Sequence, residues 1–302
     1  MRAFYSDHFV LPLPEGHKFP MAKYSRLPER IVAEGIIAPG DLDEAPEASW
    51  DEIRLVHEAS YVDAVATGTV PREVQRRIGF PWSPGMVERS RRSVGATIAA
   101  ARVALDEGIA ANLAGGTHHA FADRGEGFCV FNDVAVATRV LQRDHEARRV
   151  LVIDLDVHQG NGTAAIFAGD EDVFTFSMHG EKNFPFKKEV SDLDVALPDG
   201  TGDEQYLAAL RLHLDAILNR HQPDFVFYLA GADPYEGDRL GRLKMTIDGL
   251  RTRDEIVLQA CHQRALPVAV SMSGGYALDV DAIVTIHTNT IRVAACLNTF
   301  VS

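Results

Sequence analysis

The chain has 302 residues, 46% of them hydrophobic and 24% charged, a composition that supports a sizeable core and excludes a disordered or collagen-like protein. Its 30 basic residues against 43 acidic ones leave a formal charge of −13, which argues against a nucleic-acid or anionic-membrane surface as partner. No stretch approaches the roughly 18 apolar residues of a membrane span. The N-terminus lacks the apolar run of a signal peptide. Cys129, Cys261 and Cys296 form no CxxC pair and fit reduced thiols in a cytoplasmic protein better than a disulfide framework. Oligomeric state is not readable.

No internal repeat, low-complexity tract or long linker divides residues 1–302, so they read as a single domain. In chain order, residues 87–107, rich in Ala and Arg, suit a helix. Val150–Val157 and Val173–Met178 are short runs rich in Val, Ile and Phe that read as buried strands. Leu207, Leu210, Leu214 and Ile217 then recur at helical spacing, with Pro223 marking the end of that segment. Phe225–Ala230 is a third strand, residues 247–265 a further helix and Pro267–Met272 a fourth strand. Strands alternating with helices predict an α/β fold whose mainly parallel sheet is covered on both faces.

Ligands of such sheets bind beyond the carboxyl ends of the strands. Four polar clusters fall there: Gly115-Gly-Thr-His-His119, Asp154-Leu-Asp-Val-His158, Gly231-Ala-Asp-Pro-Tyr-Glu-Gly-Asp238 and Ser273-Gly-Gly-Tyr276. Residues two apart on an extended strand face the same way, so Asp154, Asp156 and His158 are expected to share a face. Three polar groups on a buried strand are costly unless something binds them. An Asp pair can instead cap the helix expected near Gly160, but the other polar strand ends favour a site. A carboxylate and an imidazole from this segment plus a carboxylate from another loop would make three ligands, the number a catalytic zinc keeps beside an open position. Asp238 is the expected third, because Gly237 before it permits a sharp turn.

Gly115 and Gly116 supply a tight bend that can aim both His118 and His119 inward. A site with two carboxylate ligands activates water less than an all-histidine one, so a general base is wanted, and one of the two histidines fits. The phenol of Tyr276 can stabilise an oxyanion. Taken alone it reads equally well as an aromatic packed in a turn.

These blocks resemble the arginase–deacetylase superfamily and, within it, the zinc-dependent histone deacetylases. Gly115-Gly-Thr-His-His-Ala120, Gly127-Phe-Cys-Val-Phe-Asn-Asp133, Asp154-Leu-Asp-Val-His-Gln-Gly-Asn-Gly162 and Ser273-Gly-Gly-Tyr276 stand in that family's order. Ala230-Gly-Ala-Asp-Pro-Tyr-Glu-Gly-Asp-Arg-Leu-Gly241 is similar to the class IV branch and its bacterial relatives. The resemblance implies a central, mainly parallel sheet of about eight strands. It implies zinc on Asp156, His158 and Asp238, Asp154 as partner of His118, and a structural potassium at Asp154 and Ser177. By the same resemblance His119 is the base and then the acid, His118 an electrostatic helper and Tyr276 the carbonyl-polarising donor. Phe128, Gly127, Gly275 and Phe184 fall along an acyl-lysine tunnel, with Phe186 competing with Phe184.

Three positions depart from the family pattern. Asn161 stands where class I enzymes carry aspartate behind the second histidine, and a neutral partner favours a neutral His119. Gln159 replaces a histidine and is expected to be harmless to activity. Lys18 after His17 replaces the usual proline at the expected tunnel rim. The expected reaction is hydrolysis of an acyl amide, foremost an acylated lysine on a protein, peptide or small molecule. The alternatives are an acetylpolyamine amidohydrolase, a two-manganese ureohydrolase and a non-catalytic acyl-lysine-binding module.

Overall fold

The computed structural model describes residues 1–6, 11–14 and 16–298. Among them the strands are β1 (Ala3–Tyr5), β2 (Leu42–Glu44), β3 (Ile109–Asn112), β4 (Val150–Asp154), β5 (Val173–Gly180), β6 (Leu193–Leu197), β7 (Phe225–Leu229) and β8 (Val268–Ser271). They form one sheet in the order β2-β1-β3-β8-β7-β4-β5-β6, with every pairing parallel. The helices are α1 (Lys23–Ala33), α2 (Trp50–Ile53), α3 (Ala59–Thr67), α4 (Arg72–Ile78), α5 (Pro84–Glu107), α6 (Asp133–Arg143), α7 (Asn161–Ile166), α8 (Asp203–His221), α9 (Ile247–His262) and α10 (Val280–Asn298). None of them is long and apolar enough to cross a membrane.

Alternation along the central strands builds two cores. Leu151 and Ile153 of β4, with Val226 and Tyr228 of β7, face a layer that includes Leu210, Leu214, Leu258 and Ile283 from α8, α9 and α10. Val150 and Val152, with Phe225 and Phe227, face Val62, Val94 and Val136 from α3, α5 and α6. A strand buried on both faces must be apolar throughout, which is why these runs are continuous rather than alternating with polar residues. Each fully buried side chain of this kind contributes about 1.5–3 kcal/mol.

Helix starts follow local chemistry. Ser83 Oγ accepts from Met86 N at 3.1 Å with Pro84 in the first turn of α5. Asn132 Oδ1 accepts from Ala135 N at 3.0 Å to cap α6, which leaves the next carboxylate, Asp133, free to hold a neighbouring loop. The expected strand Val150–Val157 stops at Asp154, where the chain bends instead of staying extended. Because β3, β8, β7 and β4 are consecutive in the sheet, the four polar loops leave it side by side. No disulfide joins Cys129, Cys261 or Cys296 among the described residues.

Candidate metal centre and active site

The loop after β3 is held from below. Asp133 accepts Thr117 N at 2.8 Å and Gly116 N at 3.0 Å, and Gly115 and Gly116 have φ of +76° and +71°. A Cβ on Gly116 would lie 2.5 Å from Ser273 Cβ, so this glycine allows the β3 and β8 loops to interlock. The bend delivers His118 and His119 into the interior, where both are buried.

Their partners fix their orientations. His118 Nδ1 is 2.6 Å from Asp154 Oδ2. His119 Nδ1 donates to Asn161 Oδ1 at 2.7 Å. Asn161 is oriented in turn by its Nδ2, which donates to Glu126 Oε1 at 3.3 Å. An Nδ1–H tautomer of His119 leaves Nε2 with a lone pair, and that atom lies 3.2 Å from His118 Nε2. Burial alone would push the His118 imidazole down, but the Asp154 and Asp156 carboxylates outweigh it and hold it at about 9. His119 is driven well below the usual range by burial first, then by His118 and His158. The expectation of a neutral His119 thus rests on more than Asn161.

Asp156, His158 and Asp233 bring three ligand atoms within 4.8 Å of one another, all buried. Asp154 stands beside this cluster with its carboxylate taken by His118. The expected third ligand, Asp238, is not one of these three, but its charge acts on both His158 and Asp233. The backbone leaving β7 is pinned to the β8 loop by Ala232 N donating to Gly274 O at 2.9 Å, and Asp233 stands beside Asp156. Asp238 accepts Leu240 N at 2.8 Å, Gly241 N at 2.9 Å and Tyr276 N at 2.6 Å. Its carboxylate thus accepts three backbone donors, one of which fixes Tyr276.

The cluster fits a cation. Asp156 Oδ2 accepts from Ser273 Oγ at 2.7 Å and Gly274 N at 2.8 Å, and Asp156 Oδ1 from His158 N and Nδ1, both at 2.9 Å. Asp233 Oδ1 accepts Val157 N at 2.9 Å. Its Oδ2 is buried and lacks a hydrogen-bond partner, although His158 Nδ1 is 3.2 Å away. Burial and the Asp156 charge push the Asp233 carboxyl up to about 7, and the two carboxylates outweigh burial to hold His158 at about 10. Such groups are too costly to desolvate unpaired, and a set of two oxygens and one nitrogen suits zinc with a position left open.

A cavity of about 630 Å³ opens above His158 and His119, lined by Gly127, Phe128, Phe184, Phe186 and Tyr276 among others. Gly127 has φ +57°, and a Cβ there would lie 2.6 Å from His119 Cδ2. Phe184 packs edge-on to His119 at 5.0 Å between ring centroids, whereas Phe186 is 90% exposed and stands at the rim. Gly275 does not line the cavity. Its φ is +146°, and a Cβ there would point at Ile283 and Ala232. Burial, with the Asp156 and Asp233 charges behind it, raises Tyr276 well above the usual phenol range, so the hydroxyl keeps its proton. Ser177 is the register partner of Asp154, and its Oγ shares a hydrogen bond of 3.0 Å with His179 Nδ1.

Other residues that serve the site carry no motif. Arg253 of α9 is fully buried beside Asp254. Its Nη1 donates to Gly231 O at 2.6 Å and Leu155 O at 3.3 Å, tying together the loops that carry Asp233 and Asp156. Lys23 Nζ donates to Ser273 O at 3.2 Å and Gly275 O at 3.5 Å. Gln159 Nε2 donates to Glu189 O and Asp194 Oδ1, each at 2.8 Å, and its Oε1 accepts Glu189 N at 2.9 Å. That anchors the segment following Phe184 and Phe186.

A parallel α/β sheet carries a carboxylate–imidazole–carboxylate cluster, a candidate metal site, and two buried histidines at its carboxyl edge. The family description "Histone deacetylase domain" matches residues 17–291, and the chain belongs to that family of hydrolases. It is 48% identical over 292 residues to an uncharacterized protein of Picosynechococcus sp., covering 96% of this chain and 97% of the relative. Histone deacetylase 2 of Arabidopsis thaliana is 32% identical over 269 residues, covering 86% and 70%. A crystal structure of an HDAC homolog complexed with SAHA superposes with a TM-score of 0.83 at 25% identity, covering 96% of this chain and 83% of that one.

Proposed function

We propose that this protein is a zinc-dependent deacylase of acylated lysine side chains, related to the class IV branch, and that Asp156, His158 and Asp233 hold the metal. The observation that carries the reading is the partnerless buried Oδ2 of Asp233, within ligand distance of Asp156 and His158 under a cavity walled by aromatic rings. A zinc ion held there would supply Lewis-acid polarisation of the amide carbonyl and of the attacking water.

The protein's own groups do the rest. Phe128 and Phe184 flank an extended alkyl chain and exclude water from it. The Tyr276 hydroxyl donates to the carbonyl oxygen and holds the oxyanion that develops as water attacks. His119 Nε2 accepts the proton of that water, with its Nδ1–H fixed on Asn161. It then returns the proton to the leaving nitrogen, so that amine and carboxylate depart. His118, paired with Asp154, keeps positive charge beside His119. Asp238 and Ser273 position Tyr276 and Asp156 respectively. By resemblance alone, potassium would lie beside the register partners Asp154 and Ser177. Three cysteines without a disulfide support a reducing, cytoplasmic setting.

The test is a panel of acyl-lysine amides from acetyl to myristoyl, with zinc-loaded protein, with and without a hydroxamate. Hydroxamate-sensitive hydrolysis is expected, and Tyr276→Phe should lower kcat by roughly 10²–10³, the scale for one oxyanion donor. Metal-loaded protein that hydrolyses no member of the panel would overturn the reading.

A further inference from the structure

The cavity mouth differs in charge from the rest of the chain, and this bears on the substrate beyond its acylated amine. Resting on the deacylase reading above, we propose that the mouth receives a carboxylate, so that the preferred substrate is an acyl-lysine with an anionic group at its outer end, not a polycationic amine. In a chain of formal charge −13, the cavity lining includes Arg77, Lys182, Arg239 and Arg242 but Glu126 as its one carboxylate. Glu126 is committed inward, accepting from Asn161 Nδ2 at 3.3 Å.

The cations are unequally compensated. Arg77 pairs with Glu73 at 2.6 Å. Asp199 serves two groups, Arg242 at 2.9 Å and Lys182 at 4.0 Å. Arg239 pairs with no carboxylate among the described residues. Its Nε donates to Tyr276 O at 2.7 Å and its Nη2 to Lys18 O at 2.7 Å, so two backbone carbonyls hold an exposed guanidinium in place. Nη1 has no protein acceptor among the described residues. Arg239 and one of the Lys182–Arg242 pair are therefore left to act on whatever the substrate presents.

A guanidinium already held on its own backbone loses little further freedom when it binds a carboxylate. The same charges repel the second ammonium of an acylated diamine. The carboxylate has two sources of the same chemistry: the α-carboxylate of free acyl-lysine, or an acidic side chain flanking the lysine in a peptide.

The experiment uses zinc-reconstituted protein and acetyl-lysine peptides that differ only in carrying Asp, Asn or Lys beside the acetyl-lysine. Free Nε-acetyl-lysine, its α-amide and N-acetylcadaverine complete the set. The expected order of kcat/KM is Asp over Asn over Lys, with about tenfold between the extremes at low salt, the size expected of a few exposed charge pairs. The span should shrink toward unity at roughly 1 M salt, where screening acts within about 3 Å. Preference for the free acid over its amide assigns the α-carboxylate, and preference confined to Asp peptides assigns an acidic flank. In the Lys182→Glu, Arg242→Glu double variant the Asp-to-Lys ratio should fall to unity or invert. A ratio within one protein is read whatever the absolute rate. Equal kcat/KM across the flanks, or a preference for Lys or N-acetylcadaverine, would overturn the proposal and leave the deacylase reading intact. Should no acyl amide turn over, the deacylase reading fails by itself. Calorimetric Kd values of the three peptides on the Tyr276→Phe holoprotein still decide the charge proposal, and equal values reject it.

Discussion

His118 and His119 are consecutive, both buried and 3.2 Å apart at their Nε2 atoms, yet the fold gives them opposite partners. His118 leans on the Asp154 carboxylate and is held up at about 9, while His119 leans on the Asn161 amide and is driven well below its usual range. Burial is the same for both. What separates them is where the carboxylates stand: two reach His118, whereas His119 faces two imidazoles that repel its proton. In the proposed mechanism a base must be neutral at rest and a helper charged, and the placement of charge around this pair suits that division.

The largest effect should come from removing the neutral member. His119→Ala is expected to lower kcat by about 10²–10⁴, the range for a positioned general base, with metal content by elemental analysis unchanged. A variant that keeps its activity would place the base elsewhere. Removing the charge on the other member should cost less. Asp154→Asn is expected to lower kcat about tenfold, equivalent to one pKa unit of lost stabilisation. A larger loss than that of His119→Ala would reverse the two roles.

A third variant makes the partners alike. Asn161→Asp puts a carboxylate behind His119 and raises its pKa, so the ring stays protonated, and useless as a base, up to a higher pH. The acid limb of kcat/KM should move upward by about one unit or more, with activity above that limb nearly unchanged. An unmoved limb would show that His119 does not set it. The smallest effect is expected from Gln159→His, which keeps a donor toward Glu189 but not the two-point pairing. It should raise KM for long acyl chains by a few-fold, on the scale of one net hydrogen bond, and leave kcat for acetyl-lysine intact. A loss of metal instead would show that Gln159 supports His158 rather than the wall.

Much of this site was legible because its chemistry sits at strand ends, where short apolar runs stop at polar clusters. The double histidine, Asp156, His158, Asn161 and Tyr276 all stood out on that basis or by resemblance. The structure groups Asp233 with Asp156 and His158, where the sequence pointed to Asp238. Both follow β7 within one loop, and spacing alone does not show that backbone pairing of Ala232 with Gly274 pins the near aspartate beside Asp156. Strand periodicity kept its facing past the end of β4, since Leu151, Ile153, Leu155 and Val157 all join one core. β1, β2 and β3 are three or four residues long, too short for alternation to register. Lys23 and Arg253 were invisible because their partners are backbone carbonyls of distant loops, and a cation within a helical pattern looks like a solvated one until those loops are in place.

The most direct test measures zinc content and acetyl-lysine turnover together, for the wild-type protein and for Asp233→Ala and Asp238→Ala, after chelation and again after zinc is returned. The account predicts that chelation stops wild-type turnover and zinc restores it. Asp233→Ala should recover neither zinc nor activity, while Asp238→Ala should hold zinc but turn over slowly because Tyr276 is no longer held. Full zinc binding and activity in Asp233→Ala, or turnover by metal-free wild type, would contradict it.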